Sequence, residues 1–491
     1  MTASGIGNQV RRGLLWSTAS TVVLRGATLL VGIVVARLMS PEEFGVWAVA
    51  LTVQTVLMTL ADLGLSADIV RTPNLRERIP TVATIGLAAG AILTASMAAG
   101  SSAIAAALGT PAASSVICVM SFTMVLSGAG VVPFGLLQRR LQQKKLFAVS
   151  TADFVVASSI TLILILAGAG PMALAISRLA AQAVAAVLMY VFAEVRPRFG
   201  FKLDEARPAL RFGIPVAAAN LLSWTLLNID NFVIARTLGA AALGFYVLAF
   251  NVSTWPMTII GQAMRSVSLA AFSHVTRIKS GRSESQRDPS LSVGAAISWG
   301  AAVPAGVLLA ALSNPIVEFL YGGKWIGAAP VLAALGYFGI LRVLFDIMAT
   351  YLMASGKSGQ ALLIQAAWMV ALIPTVAIGV QWYGIEGAAY VHVITGIVLV
   401  GPMYIWFLRR AGADTYLMIK MLVVPALAGV PTWIAGFIAA TRINTPLLAI
   451  LVGSMGGIAV YALVIYRWAQ SVRTYGRSLS SSIPPIDVEA I

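Results

Sequence analysis

The sequence has 491 residues, of which 59% are hydrophobic and only 10% are charged, and its mean hydropathy is +0.89. A soluble domain carries about 25% charged residues, so this composition excludes a soluble domain and a mainly disordered chain. The net charge of +15 would favour a nucleic-acid partner in a soluble protein, but between apolar segments it is better explained by membrane orientation, and we expect no nucleic acid to bind.

Long apolar runs predict the secondary structure. A helix of about 20 apolar residues crosses a bilayer, and continuous runs favour helices over barrel strands, which alternate. We therefore predict an all-α polytopic membrane protein with about 14 transmembrane helices. In chain order, the predicted spans cover residues 14–36, 45–65, 82–105, 116–137, 148–169, 172–193, 214–235, 244–267, 291–312, 328–352, 361–380, 388–408, 418–440 and 446–466.

The Lys and Arg residues indicate the orientation of these spans. With the amino terminus inside, 25 of the 33 basic residues fall in inner segments and 4 in outer segments. Cytoplasmic loops hold the excess of Lys and Arg, so both termini are predicted to be cytoplasmic and the protein to lie in the cytoplasmic membrane. The first span lacks a small-residue cleavage site, so we expect it to be retained and not removed as a signal peptide.

Two short patterns in the first half recur in the second half. Residues 34–38 and 44–50 resemble residues 233–237 and 243–249, at the outer ends of the first and seventh spans. Gly168-Ala169-Gly170 with Ala173 resembles Gly384-Ile385-Glu386 with Ala389. Chance similarity of Ala- and Gly-rich segments is the alternative, but both pairs are six spans apart, as in parallel repeats.

This repeat predicts the domain organisation. We expect an amino-terminal lobe of six spans over residues 1–200 and a carboxyl-terminal lobe of six spans over residues 201–412. Two additional helices are predicted over residues 413–470. The Ser- and Pro-rich residues 471–491 are predicted to form a disordered cytoplasmic tail.

Charged side chains inside the spans mark the candidate site, because a charge near the bilayer centre costs at least about 2.5 kcal/mol. Four arginines and few acids make the interior net cationic, since Asp62 and Asp153 lie nearer the inner ends of their spans. A cationic interior favours an anionic ligand, and the planar fork of arginine suits phosphate. The predicted binding residues are Arg25, Arg265, Arg342 and Arg178, the predicted ion-coupling or charge-pairing residues are Asp230, Asp346 and Asp62, and Asp153 is a further acid near an inner end.

Each of these residues has a structural alternative. Arg342 and Asp346 are four residues apart and can neutralise each other. Arg178 and Arg265 lie near a polar boundary, to which long side chains can extend. Arg25 has no acid three or four residues away, so it lines a cavity or pairs with another helix. Asp230 is then either that partner or a proton or sodium site.

Cysteine and histidine are too rare for a metal centre. The chain has one cysteine, Cys118, and two histidines, which excludes a disulfide framework and a structural zinc site. His392 is predicted to be a packing residue. We expect no metal, no cofactor and no catalytic residue.

An ordered set of motifs resembles the Wzx-type polysaccharide flippases, a branch of the multidrug/oligosaccharidyl-lipid/polysaccharide superfamily. The motifs extend over nearly the whole chain, and the ordered set is more specific than any one of them. They are ARLMSPEEFG (36–45), ADLGL (61–65), LQRRL (137–141), LRFG (210–213), ARTLGA (235–240), YGGKW (321–325) and ASGK (354–357).

The resemblance implies a two-lobed helical bundle that moves undecaprenyl-diphosphate-linked oligosaccharides to the outer leaflet of a bacterial cytoplasmic membrane by alternating access. It implies a role in exopolysaccharide, capsule or O-antigen assembly, with membrane lipids, a polysaccharide polymerase and other assembly proteins as partners. Arg265 and Arg342 fall where similar proteins also carry arginine. Ala270 stands where relatives often have proline, and the resemblance does not extend to Arg25.

Three other functions are weighed against this one. A multidrug or cation antiporter of the same superfamily should have an acidic interior, whereas this interior is rich in arginine. A glycosyltransferase or ligase using polyprenyl-linked sugars would need carboxylates or histidines in substantial outer loops, which are short here. A structural membrane protein would leave the cost of the intramembrane charges unexplained.

Overall fold

The computed structural model of the protein describes residues 26–72, 75–278 and 288–481. Throughout these residues the chain is helical apart from turns and loops, and it contains no β-sheet. The all-α fold predicted from the apolar runs is therefore confirmed. The chain forms two compact units, Met1–Gly244 and Phe245–Ile491. The predicted lobe boundary after residue 200 and the two carboxyl-terminal segments stay predictions.

The helices of the first unit are α1 (described over Gly26–Leu38), α2 (Pro41–Asp62), α3 (Leu65–Arg71), α4 (Leu75–Ala99), α5 (Ser101–Ala107), α6 (Ser114–Arg139), α7 (Gln143–Leu166), α8 (Pro171–Ala193), α9 (Leu203–Leu227) and α10 (Ile229–Leu238). Helix α11 (Ala240–Ile278) begins at the end of this unit. The second unit continues with α12 (Ser290–Ala311), α13 (Ser313–Tyr321), α14 (Ala329–Ala354), α15 (Ser358–Thr395), α16 (Gly401–Arg410), α17 (Thr415–Arg442) and α18 (Pro446–Ser481).

Within the described residues, 11 helical segments are long and apolar enough to cross a membrane. The protein is thus a multi-pass membrane protein, and the predicted number of about 14 spans is consistent with these segments. The difference between the 14 predicted spans and the 11 segments has three sources. The first is described only from Gly26, the seventh is divided between α9 and α10, and the eleventh and twelfth share one 53-residue segment, Ser358–Arg410.

That long segment contains a chain reversal within α15. In a continuous helix, Gly379 and Gly387 would be about 12 Å apart. Instead, a Cβ atom added to Gly387 would collide with the carbonyl oxygen of Gly379, so the two backbones are in contact. The helical geometry is interrupted at Tyr383 (φ −130°, ψ 17°) and Gly384 (φ 59°, ψ −143°). The chain therefore reverses between the spans predicted at residues 361–380 and 388–408.

Replacing Gly387 by alanine is expected to destabilise this hairpin, because the new methyl group would meet backbone atoms that have no room to move. Overpacking of this kind costs about 1–3 kcal/mol. Thermal unfolding of the detergent-purified protein should occur at a lower temperature. Gly359→Ala on the same helix is the matched control, since nothing lies within 4 Å of its added Cβ. Equal melting temperatures for the two variants would contradict the close contact.

The backbone has the same geometry at the two places where the sequence repeats. Gly170 (φ 52°, ψ −134°) precedes α8 in the same conformation that Gly384 adopts within α15. The backbone conformations thus match Gly384 with Gly170. The sequence alignment instead matches Gly384 with Gly168, two residues earlier. Only the backbone conformation fixes this register, because several glycines lie close together in the sequence.

The first repeated pattern surrounds the start of α2 and the start of α11. Ser40 caps α2 in a capping box, in which the Glu43 N–H donates to Ser40 Oγ at 3.2 Å and the Ser40 N–H donates to Glu43 at 2.8 Å. The matching glycines make reciprocal contacts. A Cβ atom on Gly45 would meet the Ala240 carbonyl oxygen, and one on Gly244 would meet the Pro41 carbonyl oxygen. Small residues allow these two helix starts to pack closely.

Candidate functional site

Two predicted site residues, Arg25 and Arg265, lie wholly or partly outside the described part of the chain. Arg25 lies outside the described residues. Arg265 lies on α11, but its side chain is outside the part of the chain that the structure describes. Both assignments stay predictions.

Arg178 on α8 forms an ion pair with Asp153 on α7. The Arg178 Nη1 atom is 3.6 Å from Asp153 Oδ2, and the two side chains are 40% and 25% exposed. Exposed apolar side chains, including Val187 on α8 and Val155 on α7, mark the lipid-facing sides of these helices. At about 100° per residue, Arg178 lies about 180° from Val187 and Asp153 about 160° from Val155. The pair is therefore accessible on the sides turned away from lipid.

Arg342 is an exposed side chain on α14, the most buried of the candidate spans. Phe338, one turn before it, packs edge-on against Trp368 of α15 at 5.9 Å. Asp346, one turn after it, faces α11, because a Cβ atom on Gly261 would lie 3.7 Å from its Oδ2. Arg342 lies about 40° round the helix from each neighbour, between the residue that contacts α15 and the residue that faces α11.

The ion pair considered between Arg342 and Asp346 does not form. Among the described residues, no ion pair of 4.0 Å or less includes the Arg342 guanidinium. Asp346 instead faces α11 at Gly261.

Asp230 lies at a break in the seventh predicted span. The helix ends at Leu227 and resumes at Ile229, with Asn228 between them at φ −121° and ψ 8°. Asp230 is 3% exposed, and its Oδ1 accepts a hydrogen bond from the Asn231 N–H at 3.1 Å. A carboxylate is favoured there because the first turn of a helix presents unsatisfied N–H groups. A broken helix at membrane depth is typical of the ion and substrate sites of transporters.

Asp62 has a local partner at the end of α2. Its carboxylate accepts a hydrogen bond from the Ser66 hydroxyl at 2.9 Å, and the Ser66 N–H lies 3.3 Å from it. These bonds connect the end of α2 to the start of α3. Asp62 therefore has a structural role at the junction of α2 and α3.

A buried charge network that was not predicted from the sequence connects α3, α4 and α9. Arg78 donates to both oxygens of Asp68, at 2.9 and 3.2 Å, and to Glu205 at 2.9 Å. The side chains of Arg78 and Asp68 are 7% and 0% exposed. Neither Arg78 nor Asp68 was among the residues predicted from the sequence to form a site. The sequence feature that indicates a buried carboxylate is the position of Asp68 between the apolar residues Leu65 and Ile69, which are both buried.

Several motif residues have structural roles. Arg139 donates to the carbonyls of Ile69, Val70 and Thr72, at the carboxyl end of α3. Arg140 donates to the Ala193 carbonyl at 2.8 Å, and Lys357 donates to the Arg410 carbonyl at 2.6 Å. Cations stabilise helix ends where carbonyls are unsatisfied. These three residues therefore fix the ends of helices α3, α8 and α16.

The YGGKW motif anchors the segment before α14. Trp325 is fully buried, and its ring packs edge-on against Phe245 at 5.9 Å. Gly322, at φ 91° and ψ 167°, turns the chain so that the tryptophan reaches this position. Burial of a large aromatic ring makes this motif a packing element.

The chain is similar to proteins whose names refer to polysaccharide biosynthesis. It is 25% identical to the lipopolysaccharide biosynthesis protein WzxC of Escherichia coli (strain K12), over 87% of this chain and 86% of that protein. It is also 25% identical to the succinoglycan biosynthesis transport protein ExoT of Rhizobium meliloti (strain 1021), over 92% of this chain and 94% of that protein.

Solved structures share the fold. The lipid II flippase MurJ in an inward closed conformation matches with a TM-score of 0.76 and 14% identity, over 92% of this chain and 99% of that chain. An inward-facing multidrug resistance MATE family transporter of the MOP superfamily matches with a TM-score of 0.62 and 18% identity, over 80% and 94%. A family model described as "Polysaccharide biosynthesis protein" matches residues 34–330, more than half of the chain, so the protein belongs to the polysaccharide biosynthesis protein family.

Proposed function

We propose that the protein is a flippase that moves undecaprenyl-diphosphate-linked oligosaccharide repeat units across the cytoplasmic membrane. Its membership of the polysaccharide biosynthesis family supports this function. So does the name of ExoT, which is called a transport protein. The repeat units would serve exopolysaccharide, capsule or O-antigen synthesis, and the protein would be a transporter that makes and breaks no bond.

The observation that carries the proposal is the placement of arginine inside apolar helices. Arg178 and Arg342 are accessible. Arg178 lies on the side of α8 opposite the exposed Val187, and Arg342 lies between the α14 residues that contact α15 and face α11. Arginine binds phosphate with two parallel hydrogen bonds, so these residues suit the diphosphate of the substrate. Arg25 and Arg265 would complete the cationic interior.

The transport cycle would alternate between inward and outward access. The sugar would pass through the polar interior while the polyprenyl chain stays in lipid, since about 0.8 kcal/mol is lost for each CH₂ group moved to water. Asp153 would release Arg178 when the diphosphate arrives. Asp230 and Asp346 are the proposed ion-coupling residues, because one is buried at a helix break and the other faces α11.

The proposed orientation places both termini in the cytoplasm, on the side where most Lys and Arg residues lie. A polysaccharide polymerase and other assembly proteins would then receive the repeat unit at the outer surface.

A multidrug or cation antiporter is the second candidate, because the MATE transporter has the same fold. Interior charge separates the two functions, since a cationic drug would be repelled by accessible arginines.

Deletion of the gene tests the proposal. We expect complete lipid-linked repeat units to accumulate in the cytoplasmic leaflet, which can be measured by extracting the intermediates and labelling intact cells from outside. Unchanged lipid intermediates together with altered drug efflux would instead support the antiporter.

A further inference from the structure

A basic and aromatic surface lies where the chain passes from α8 to α9. Three large apolar side chains are exposed there: Phe199 by 58%, Phe201 by 62% and Leu203 by 54%. Basic side chains surround them and are also exposed. We define the linker surface as these three residues together with Arg196, Arg198, Lys202, Arg207 and Arg211.

The backbone beneath this surface is held against α4. The Gly200 N–H donates to Thr84 Oγ1 at 3.1 Å, and the same hydroxyl lies 2.9 Å from the Gly200 carbonyl oxygen. The Lys202 N–H donates to Thr81 Oγ1 at 3.2 Å. Because three hydrogen bonds fix the backbone, the apolar side chains are exposed at defined positions.

Helix α9 shows how this surface lies relative to the bilayer. Arg207, Arg211, Ile214 and Ala218 follow one another at helical spacing on one exposed face. The face changes from guanidinium groups to apolar groups between Arg211 and Ile214, which are about 4.5 Å apart along the axis. The two arginines therefore lie at the depth of the lipid headgroups, where aromatic side chains are also favoured.

The acidic residues of this segment do not neutralise the positive charge of the linker surface. Glu205 is bound by Arg78 at 2.9 Å, and Glu194 lies 3.4 Å from Lys145. Asp204 is the remaining acid of the segment and is exposed. Five basic side chains thus face one acid that has no ion pair among the described residues.

We propose that the linker surface binds the headgroups of anionic phospholipids in the cytoplasmic leaflet. Clusters of about four to eight Lys and Arg next to a transmembrane helix attract anionic lipid. Exposed aromatic rings at the same depth add apolar contact with the acyl boundary. The leaflet rests on the orientation given under the proposed function. Headgroup binding does not depend on transport.

Native mass spectrometry of the full-length protein in detergent tests the proposal, with phosphatidylglycerol, phosphatidylethanolamine and undecaprenyl diphosphate as probes. We expect the double variant Arg207→Gln, Arg211→Gln to bind phosphatidylglycerol about tenfold more weakly than the unmodified protein. Binding of phosphatidylethanolamine should change little. The matched control is Arg236→Gln, Arg442→Gln, which removes two exposed charges from the ends of α10 and α17.

Three results would overturn the proposal. The first is an equal loss of phosphatidylglycerol binding in the two double variants. The second is an equal loss of both lipids, which would mean that charge is not recognised. The third is a loss of undecaprenyl diphosphate binding alone, which would make the surface an entrance for the substrate. Failure of the proposed function would appear as unchanged lipid-linked intermediates in the deletion strain, an outcome that headgroup binding does not affect.

Discussion

Replacing Arg342 by alanine is expected to reduce export of lipid-linked repeat units by about 10- to 100-fold, because a charge-assisted hydrogen bond to phosphate contributes about 1.5–3 kcal/mol. Arg342 is exposed on α14 and belongs to none of the ion pairs among the described residues. Its removal should therefore affect substrate binding more than folding. Export is measured by the leaflet in which the repeat units accumulate, and membrane abundance by immunoblotting.

Two variants control this experiment. Arg342→Lys retains the charge but loses the planar fork, so it should give intermediate export. Arg467→Ala removes an exposed arginine of α18 and should leave export unchanged. Normal export by Arg342→Ala at normal abundance would remove Arg342 from the proposed site.

Replacing Arg78 by alanine is expected to lower the free energy of unfolding by about 3–5 kcal/mol, the usual cost of removing one partner of a buried ion pair. The change would remove both short hydrogen bonds to the Asp68 carboxylate, which is 0% exposed and keeps, among the described residues, the longer ion pair with Arg71 at 3.8 Å. It would also release Glu205 from α4. Unfolding of the purified protein with increasing denaturant measures the loss. The level of folded protein in the membrane should fall as well.

The double variant Arg78→Met, Asp68→Leu separates charge from packing. Replacing a buried ion pair by apolar residues of similar volume is often close to neutral, so much of the stability should return. A double variant as unstable as Arg78→Ala would show that the ion pair is not the cause. So would a loss below about 1 kcal/mol in Arg78→Ala, the range of an exposed ion pair.

Much of the fold follows from local sequence. The apolar runs coincide with helices, and Gly384 marks the reversal that separates two spans within one helical segment. These features are predictable because the length of a helix that crosses lipid and the backbone freedom of glycine are local properties. The interruption of the seventh span at Asn228 was not predicted, since neither glycine nor proline occurs there.

The sequence alone determined that this is an all-helical membrane protein and which charged residues lie inside its spans, because an ionised group in an apolar run is visible without a structure. Tertiary structure decided which charges meet. It pairs Arg178 with Asp153, keeps Arg342 out of an ion pair with Asp346, and joins Arg78 to Glu205 across 127 residues. Such pairing depends on which helix faces pack together, and side-chain contacts between distant segments leave no periodic signal in the sequence.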